Sequence, residues 1–210
     1  MAYIQNTAFW PRVNNRVFSE DINITGKFHN GEDADEICSA GFLCVKDTLM
    51  DCEGYENVGP TGSQVTLKNS NSWIMKVTGA EVKSEGDGIY ACNPYDVNMV
   101  QDPVTGNIYK VGANTLGLPE PAGYPVTFTK IVFTGDKIYR FGIGNLSAAL
   151  GTNKFFTIAN GLLVPASAAP TDVGTPYFKL LPTGGVFTEG AQSAFEFVDV
   201  LACKVDAAAG

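Results

Sequence analysis

The sequence predicts an all-β protein, a sandwich or barrel-like β-domain with an extended N-terminal arm and little helix. Charged residues make up 17% of the 210 residues, well below the roughly one quarter that is usual in globular proteins. The chain also contains 23 glycines, which suit frequent turns. Between those turns lie short runs rich in β-branched and aromatic residues, as expected of strands.

The stretch from residue 126 to residue 145 carries the strongest local signal. Two runs of β-forming residues, 126–133 and 137–143, flank Thr134, Gly135 and Asp136. A Gly-Asp pair between two such runs predicts a β-hairpin. Because long arms need a sheet partner to bury them, we expect this hairpin at the middle of the β-domain.

Further strands are predicted where short apolar runs lie between turn residues. Asn160 and Gly161 predict a tight hairpin turn, residues 69–72 a second turn, and residues 146–150 one helical turn. The last run is mostly apolar on both faces, as expected of a strand buried on two sides. The predicted strands are residues 37–47, 65–67, 73–78, 89–92, 108–111, 154–159, 162–164, 177–181, 185–188 and 194–205.

Residues 115–124 are the best candidate for a linker, because they contain two glycines and two prolines. They divide the chain into an N-terminal arm at residues 1–25, a first β-region at 26–114 and a second at 125–206. The two regions form one domain instead if the hairpin beyond the linker completes a sheet that begins before it.

The charge balance argues against two classes of partner. The chain carries 14 Lys and Arg against 22 Asp and Glu, a net charge of −8. A nucleic-acid binder normally displays a basic stripe, and an anionic membrane attracts clustered Lys and Arg. We therefore expect no nucleic acid and no membrane as partners. No basic and apolar leader opens the sequence, so we expect synthesis in a cytoplasm.

Five cysteines are scattered without CxxC spacing, which is poor for a disulfide framework and for a zinc site. They are expected to be small buried apolar residues in a reducing compartment. A Cys38–Cys52 or Cys44–Cys52 bridge remains an alternative if the protein ends up outside a cell. The cysteines are Cys38, Cys44, Cys52, Cys92 and Cys203.

No motif identifies a catalytic, cofactor or metal site. The single histidine, His29, lies in a polar turn, and neither a GxSxG elbow nor a GxxxxGK[ST] phosphate loop occurs. Carboxylate pairs suited in principle to glycoside hydrolysis are Asp33/Asp35, Glu85/Asp87 and Glu196/Asp199. Aromatic residues that could form a sugar platform, or simply pack in the core, are Trp10, Trp73, Tyr90, Tyr95, Tyr109, Tyr139 and Tyr177.

The N-terminal arm holds the candidate partner-binding residues. Its aromatic and aliphatic side chains either pack back on the domain or dock on a partner, since aromatic anchors dominate interface energetics. The candidates are Tyr3, Phe9, Trp10, Val13 and Phe18.

Two segments, residues 3–18 and residues 155–181 (FFTIANGLLVPASAAPTDVGTPYFKLL), give the chain its resemblance to bacteriophage head decoration proteins. The resemblance implies a non-enzymatic virion protein without cofactors, made in the host cytoplasm and bound to the capsid surface. Its implied partners are the major capsid protein lattice and further copies of itself, with a trimer favoured. The alternatives are a phage tail or fibre component, and a carbohydrate-binding module or glycan-active enzyme.

Overall fold

The computed structural model describes residues 9–11, 23–29, 36, 38–51, 57–58, 64–65, 68–93, 100–101, 108–109, 126–189 and 193–206. Strands dominate this part of the chain, which confirms the predicted all-β class. The strands are β1 (Phe9–Pro11), β2 (Asn23–Phe28), β3 (Leu43–Asp51), β4 (Asn57–Val58), β5 (Gln64–Val65), β6 (Lys68–Val77), β7 (Tyr90–Cys92), β8 (Val100–Gln101), β9 (Ile108–Tyr109), β10 (Val126–Lys130), β11 (Lys137–Gly142), β12 (Phe155–Ala159), β13 (Leu162–Ala166), β14 (Pro176–Leu180), β15 (Gly185–Glu189) and β16 (Ser193–Lys204). Among the described residues, no helix has the length and apolar character needed to cross a membrane.

Five strands close a small barrel in the order β10-β2-β6-β3-β7. β2 and β6 run parallel, and the other neighbouring pairs run antiparallel. Successive side chains point to opposite faces of a strand, so alternate residues fill the barrel. The buried residues of this cluster are Ile24, Phe28, Cys38, Phe42, Cys44, Met75, Tyr90, Cys92, Val126 and Phe128.

A second, antiparallel sheet has the order β1-β11-β16-β14-β12-β13, and β15 joins it as a seventh strand by pairing with β16. The 12-residue β16 organises this sheet. It pairs with β11 along one edge and with β14 and then β15 along the other. Two further strand pairs, β4 with β5 and β8 with β9, form separate two-stranded sheets.

The main hydrophobic core lies between this sheet and the barrel. Phe156, Phe178 and Val200 on the sheet belong to one buried cluster with Leu43 and Ala91 on barrel strands. The sheet therefore covers the outside of β3 and β7, while the barrel holds its own second core.

The hairpin predicted over residues 126–143 is wrong, because its two arms lie in different sheets. β10 pairs with β2 and β7, whereas β11 pairs with β1 and β16. The chain crosses between the sheets at residues 131–136, where Ile131 and Phe133 are buried in the main core. The crossing gives each arm two strand neighbours, while a hairpin at the edge of a sheet would leave backbone groups unpaired.

The barrel draws strands from both sides of the predicted linker, since β10 joins four strands of the first region. The predicted N-terminal arm also contributes regular structure. Its first described segment, β1, lies in the large sheet, and β2 begins at Asn23. The linker itself, residues 115–124, lies outside the described residues.

Two smaller predictions are also wrong. Residues 69–72 continue strand β6 and form no turn, because β6 pairs with both β2 and β3. The predicted helical turn at 146–150 is replaced by a 3-10 turn at Ile143–Asn145. Asn145 fixes that turn from the buried side, since its side-chain amide donates to the carbonyl oxygen of Ala40 at 2.8 Å.

The predicted tight turn at Asn160 and Gly161 is confirmed. Both residues have positive φ values, 48° and 79°, as a type I′ hairpin turn between β12 and β13 requires. The turn docks on the barrel: the Gly161 carbonyl accepts from the Leu43 N–H at 2.8 Å, and the Gly161 N–H donates to Thr78 Oγ1 at 2.9 Å.

The described cysteines match the expectation of small buried residues in three of four cases. Cys38, Cys44 and Cys92 are buried in the barrel core as reduced thiols, and the fourth, Cys203, is a half-buried reduced thiol. Burial raises the pKa of the Cys38 and Cys44 thiols, which favours their protonated form. Cys52, the partner in both candidate bridges, lies outside the described residues.

Candidate interaction site

Strand β1 occupies one end of the large sheet. It is held there by pairing with β11 and by the buried ring of Phe9. Phe9 pairs with Phe141 in register and has no exposed surface. Its ring lies 5.9 Å from the ring of Tyr139 and 5.2 Å from that of Phe141, measured between centroids. The candidate anchor Phe9 therefore packs on its own chain, which is the first of the two outcomes considered from the sequence.

Of the other four candidate residues, only Trp10 belongs to the described part of the chain. Trp10 holds the register position opposite Arg140 on β11, while Tyr3, Val13 and Phe18 lie outside the described residues. In the described part of the chain, no strand pairs with the outer edge of β1. A strand at the edge of a sheet presents backbone hydrogen-bonding groups to which a further strand can add.

Tyr139 supports both β1 and the crossing between the two sheets. Its ring packs on Phe9, and its hydroxyl accepts a hydrogen bond from the backbone N–H of Val132 at 3.0 Å. Burial raises the pKa of Tyr139 to about 12 from its usual 10.0. The folded protein therefore disfavours the phenolate relative to the unfolded chain.

This shift predicts an alkaline loss of stability that depends on Tyr139. The contribution of neutral Tyr139 to folding stability is intact below about pH 10, the pKa of tyrosine in the unfolded chain. It is lost as the pH rises toward about 12, the pKa in the folded protein. Tyr139→Phe should cost about 1 kcal/mol near neutral pH through the lost hydrogen bond, and should flatten the decline between about pH 10 and 12. Urea unfolding across this range measures both effects.

Tyr177→Phe is the matched control, because Tyr177 is only half-buried, on the opposite face of the same sheet, although burial raises the pKa of its hydroxyl as well. Between about pH 10 and 12, Tyr177→Phe should change the slope of unfolding free energy against pH less than Tyr139→Phe does. Equal slopes for the wild type and Tyr139→Phe would contradict the assigned role of Tyr139.

A buried ion pair fixes the register of β11 on β16. Arg140 and Asp199 are directly paired, with Nε to Oδ1 at 2.8 Å and Nη2 to Oδ2 at 3.1 Å. The Thr183 hydroxyl donates to the second carboxylate oxygen at 2.8 Å. The Arg140 guanidinium also lies 3.7 Å over the Phe197 ring. Asp199 is fully buried, so its carboxylate has a structural role.

The carboxylate pairs do not form an acid–base site among the described residues. Glu196 and Asp199 are three positions apart on one strand, so they lie on opposite faces of β16. Glu85 accepts a hydrogen bond from the Lys204 ammonium at 2.8 Å, and Asp33 and Asp35 lie outside the described residues. His29 forms a β-bridge in which its backbone N–H donates to the Met75 carbonyl. In the same part of the chain, no three His, Cys, Asp or Glu residues are placed to hold a metal ion.

The candidate aromatic residues whose side chains are described do not form a sugar platform. Tyr90 and Tyr139 are 1% and 2% exposed and belong to the barrel core and the main core respectively. Trp73 packs beside the barrel core beneath the Lys46 ammonium, 4.5 Å from the ring centroid. Of the candidate aromatic residues with described side chains, Tyr177 alone lies on the outer face of the large sheet.

That outer face is the surface feature that sequence reasoning missed. Strand alternation and register place six half-buried residues on it, and none belongs to either core cluster. The signal was present in β16, whose predicted second apolar face carries Leu201 and Cys203. The six residues are Ile138, Phe155, Val164, Tyr177, Leu201 and Cys203.

Comparison with known proteins gives no relative for this chain: no family model, curated protein or solved structure matches it.

Proposed function

We propose that this chain is a non-enzymatic structural protein of a phage particle that binds an assembled capsid and stabilises it. The proposal starts from the resemblance to head decoration proteins and takes its binding mode from strand β1. A protein that binds only the assembled lattice stabilises that lattice by mass action. An oligomer that touches several capsid subunits gains further from high effective concentration.

The placement of β1 is the observation that carries the proposal. An N-terminal segment, already in β conformation, ends the large sheet with its outer edge unpaired among the described strands. An extended segment of a capsid subunit could add to that edge through main-chain hydrogen bonds, which is a recurring mode of recognition. Phe9 anchors β1 to the sheet, while Trp10 and the flanking residues Tyr3, Val13 and Phe18 supply contacts to the capsid.

Trp10→Ala is expected to weaken capsid binding about 30-fold, as loss of an interface anchor worth about 2 kcal/mol would. Co-sedimentation with purified capsids lacking the protein measures the apparent Kd. Val173→Ala is the matched control, because Val173 is a highly exposed apolar residue (64%) in a loop away from β1. Unchanged binding by Trp10→Ala would contradict the proposed role of the arm.

Phe9→Ala is less suited to this test because it removes a buried ring. Phe→Ala in a core costs about 3–5 kcal/mol, but the loss at Phe9 cannot exceed the free energy with which β1 docks on β11. Release of β1 would weaken capsid binding indirectly.

Copy number in the particle separates the proposed function from the alternatives. Mass spectrometry of gradient-purified particles should find this chain at hundreds of copies, as a decoration protein requires. A few copies per particle would favour a tail or fibre component. Absence from particles together with reproducible binding to one sugar class on a glycan array would favour the carbohydrate-binding alternative.

A further inference from the structure

We infer that one end of the β-barrel binds a phosphate group between the ammonium groups of Lys46 and Lys130. This is the end at which β7 begins and β10 ends, and it also includes Trp73, Gly88 and Tyr90. The inference does not depend on the proposed capsid function, because none of these residues belongs to β1. It starts from the placement of two lysines beside one buried ring.

Strand pairing places both lysines on the inner face of the barrel, beside Tyr90. Lys130 lies directly opposite Tyr90 in the pairing of β10 with β7. On β3 the residue opposite Tyr90 is Cys44, which lies in the barrel core. Lys46 follows Cys44 by two positions and therefore shares its inward face. Two lysines from the strands on either side of β7 thus flank the same aromatic residue.

Side-chain contacts show that both lysines border this ring. The Lys46 ammonium lies 5.3 Å from the centroid of the Tyr90 ring and 4.5 Å from that of the Trp73 ring. A Cβ atom placed on Gly88 would lie 3.0 Å from Lys130 Cε and 3.1 Å from Tyr90 Cε2. The end of the Lys130 side chain therefore packs over Gly88, next to the same ring. Because lysine stems are flexible, both ammonium groups can turn toward a single anion.

A break in the strand pairing lies immediately beyond Lys46. β3 pairs regularly with β6 as far as Lys46, which is opposite Met75, and the register then shifts before Leu49. Such irregularities bend a strand and occur often next to active sites, where they re-aim a side chain. The bend supports a role for Lys46 beyond the packing of the barrel.

Neither lysine has a carboxylate partner in the part of the chain that the structure describes. Comparably half-buried basic residues there do have one: Lys76, Lys137 and Arg140 each form an ion pair with an aspartate. Taking a charge out of water is costly unless the charge is paired, and the chain has an excess of acidic residues that could have paired it. Lys46 and Lys130 therefore bring together positive charge that the described residues leave uncompensated.

The aromatic rings hold the Lys46 ammonium without neutralising it. The face of an aromatic ring attracts a cation through its quadrupole but brings no counter-charge. Two like charges beside one ring also repel each other, and an anion between them replaces that repulsion with attraction. A phosphate group suits the pair, because a lysine ammonium recognises phosphate as a compact point charge, whereas a carboxylate is matched best by the planar fork of arginine.

Nuclear magnetic resonance titration with inorganic phosphate tests the inference. At constant ionic strength, the backbone amide signals of Gly88 and Tyr90 and the indole N–H signal of Trp73 should shift and saturate. The expected Kd is about 1 mM, as two charge-assisted contacts would provide. No saturable shift up to about 20 mM phosphate, about twenty times that Kd, would overturn the inference. Shifts centred elsewhere on the chain would do the same.

Lys46→Gln and Lys130→Gln test the two lysines separately. Each should weaken phosphate binding about tenfold, because each removes one of two charge-assisted contacts. Lys179→Gln is the matched control and should leave the Kd unchanged, because Lys179 is an exposed lysine on the large sheet. The spectra also show whether each variant is folded. A folded Lys46→Gln or Lys130→Gln variant with the wild-type affinity would contradict the proposed site.

Two further ligands identify the chemistry that the site recognises and its source. Tighter binding of methyl phosphate than of inorganic phosphate would assign the site to a phosphate group carried by a larger molecule, and the reverse order would assign it to the free anion. Acetate carries one negative charge and should bind about tenfold more weakly than phosphate. Acetate binding as tight as that of phosphate would overturn the assignment to phosphate.

Discussion

Asp199→Ala should lower the free energy of unfolding by about 3–5 kcal/mol, the usual cost of removing one partner from a buried ion pair. Asp199 has no exposed surface, and only 18% of the Arg140 side chain is exposed. The substitution leaves the guanidinium without its bidentate carboxylate and leaves the Thr183 hydroxyl without its acceptor. Chemical unfolding monitored by circular dichroism measures the change.

A double-mutant cycle separates the energetic contribution of the Arg140–Asp199 ion pair from that of its surroundings. Arg140→Met with Asp199→Leu should be less destabilising than Asp199→Leu alone, because the double variant leaves no unpaired buried charge. Glu81→Ala is the control, since Glu81 and its partner Lys83 are 74% and 60% exposed, and it should change stability by no more than about 0.5 kcal/mol. A cost for Asp199→Ala as small as that of Glu81→Ala would show that the buried pair does not secure the sheet.

Gly161→Ala should cost a comparable amount, about 2–6 kcal/mol, for two reasons that add together. The backbone at Gly161 has a φ of 79°, where a non-glycine residue carries about 1–3 kcal/mol of strain. A Cβ atom there would also overlap the ring of Phe42 in the barrel core, and overpacking adds about 1–3 kcal/mol. The turn cannot easily move away, because Gly161 is hydrogen-bonded to both Leu43 and Thr78.

Gly151→Ala isolates the backbone part of this effect. Gly151 also has a positive φ, 53°, but a Cβ atom added there would meet open space, with nothing in contact within 4 Å, so its cost should be about 1 kcal/mol. The difference between the two variants in chemical unfolding then measures the clash with Phe42. If the two substitutions cost the same, the turn between β12 and β13 does not pack on the barrel as described.

These two positions stabilise different parts of the fold. Arg140 and Asp199 hold β11 to β16 within the sheet. Gly161 attaches the turn after β12 to the barrel through its hydrogen bonds. Both contacts join residues more than 50 positions apart in sequence, so neither was visible in local patterns. The carboxylate of Asp199 was considered from the sequence as half of a catalytic pair. Its burial and its hydrogen bonds to Arg140 and Thr183 assign it to the sheet instead.

The candidate interaction site was only partly predictable. Aromatic content drew attention to Phe9 and Trp10, but not to the fact that Phe9 is buried against Tyr139. The outer face of the large sheet was partly indicated by β16, whose two mostly apolar faces predicted burial on both sides. The sequence could not show that Asp199 is fully buried on the face where Leu201 and Cys203 are only half-buried, because burial depends on which elements pack on each face.

The sequence by itself determined the all-β class, the strands of the C-terminal half and the turn at Asn160 and Gly161. These follow from short-range causes, namely residue alternation, β-branched side chains and the positive φ values that Asn and Gly accept. Only the tertiary structure decided strand partners. Arms 126–133 and 137–143 carry local signals that suit a hairpin, yet they separate into the barrel and the sheet. Pairing and burial with distant residues outweigh that local preference, because each arm gains two strand neighbours and the crossing residues Ile131 and Phe133 gain a core.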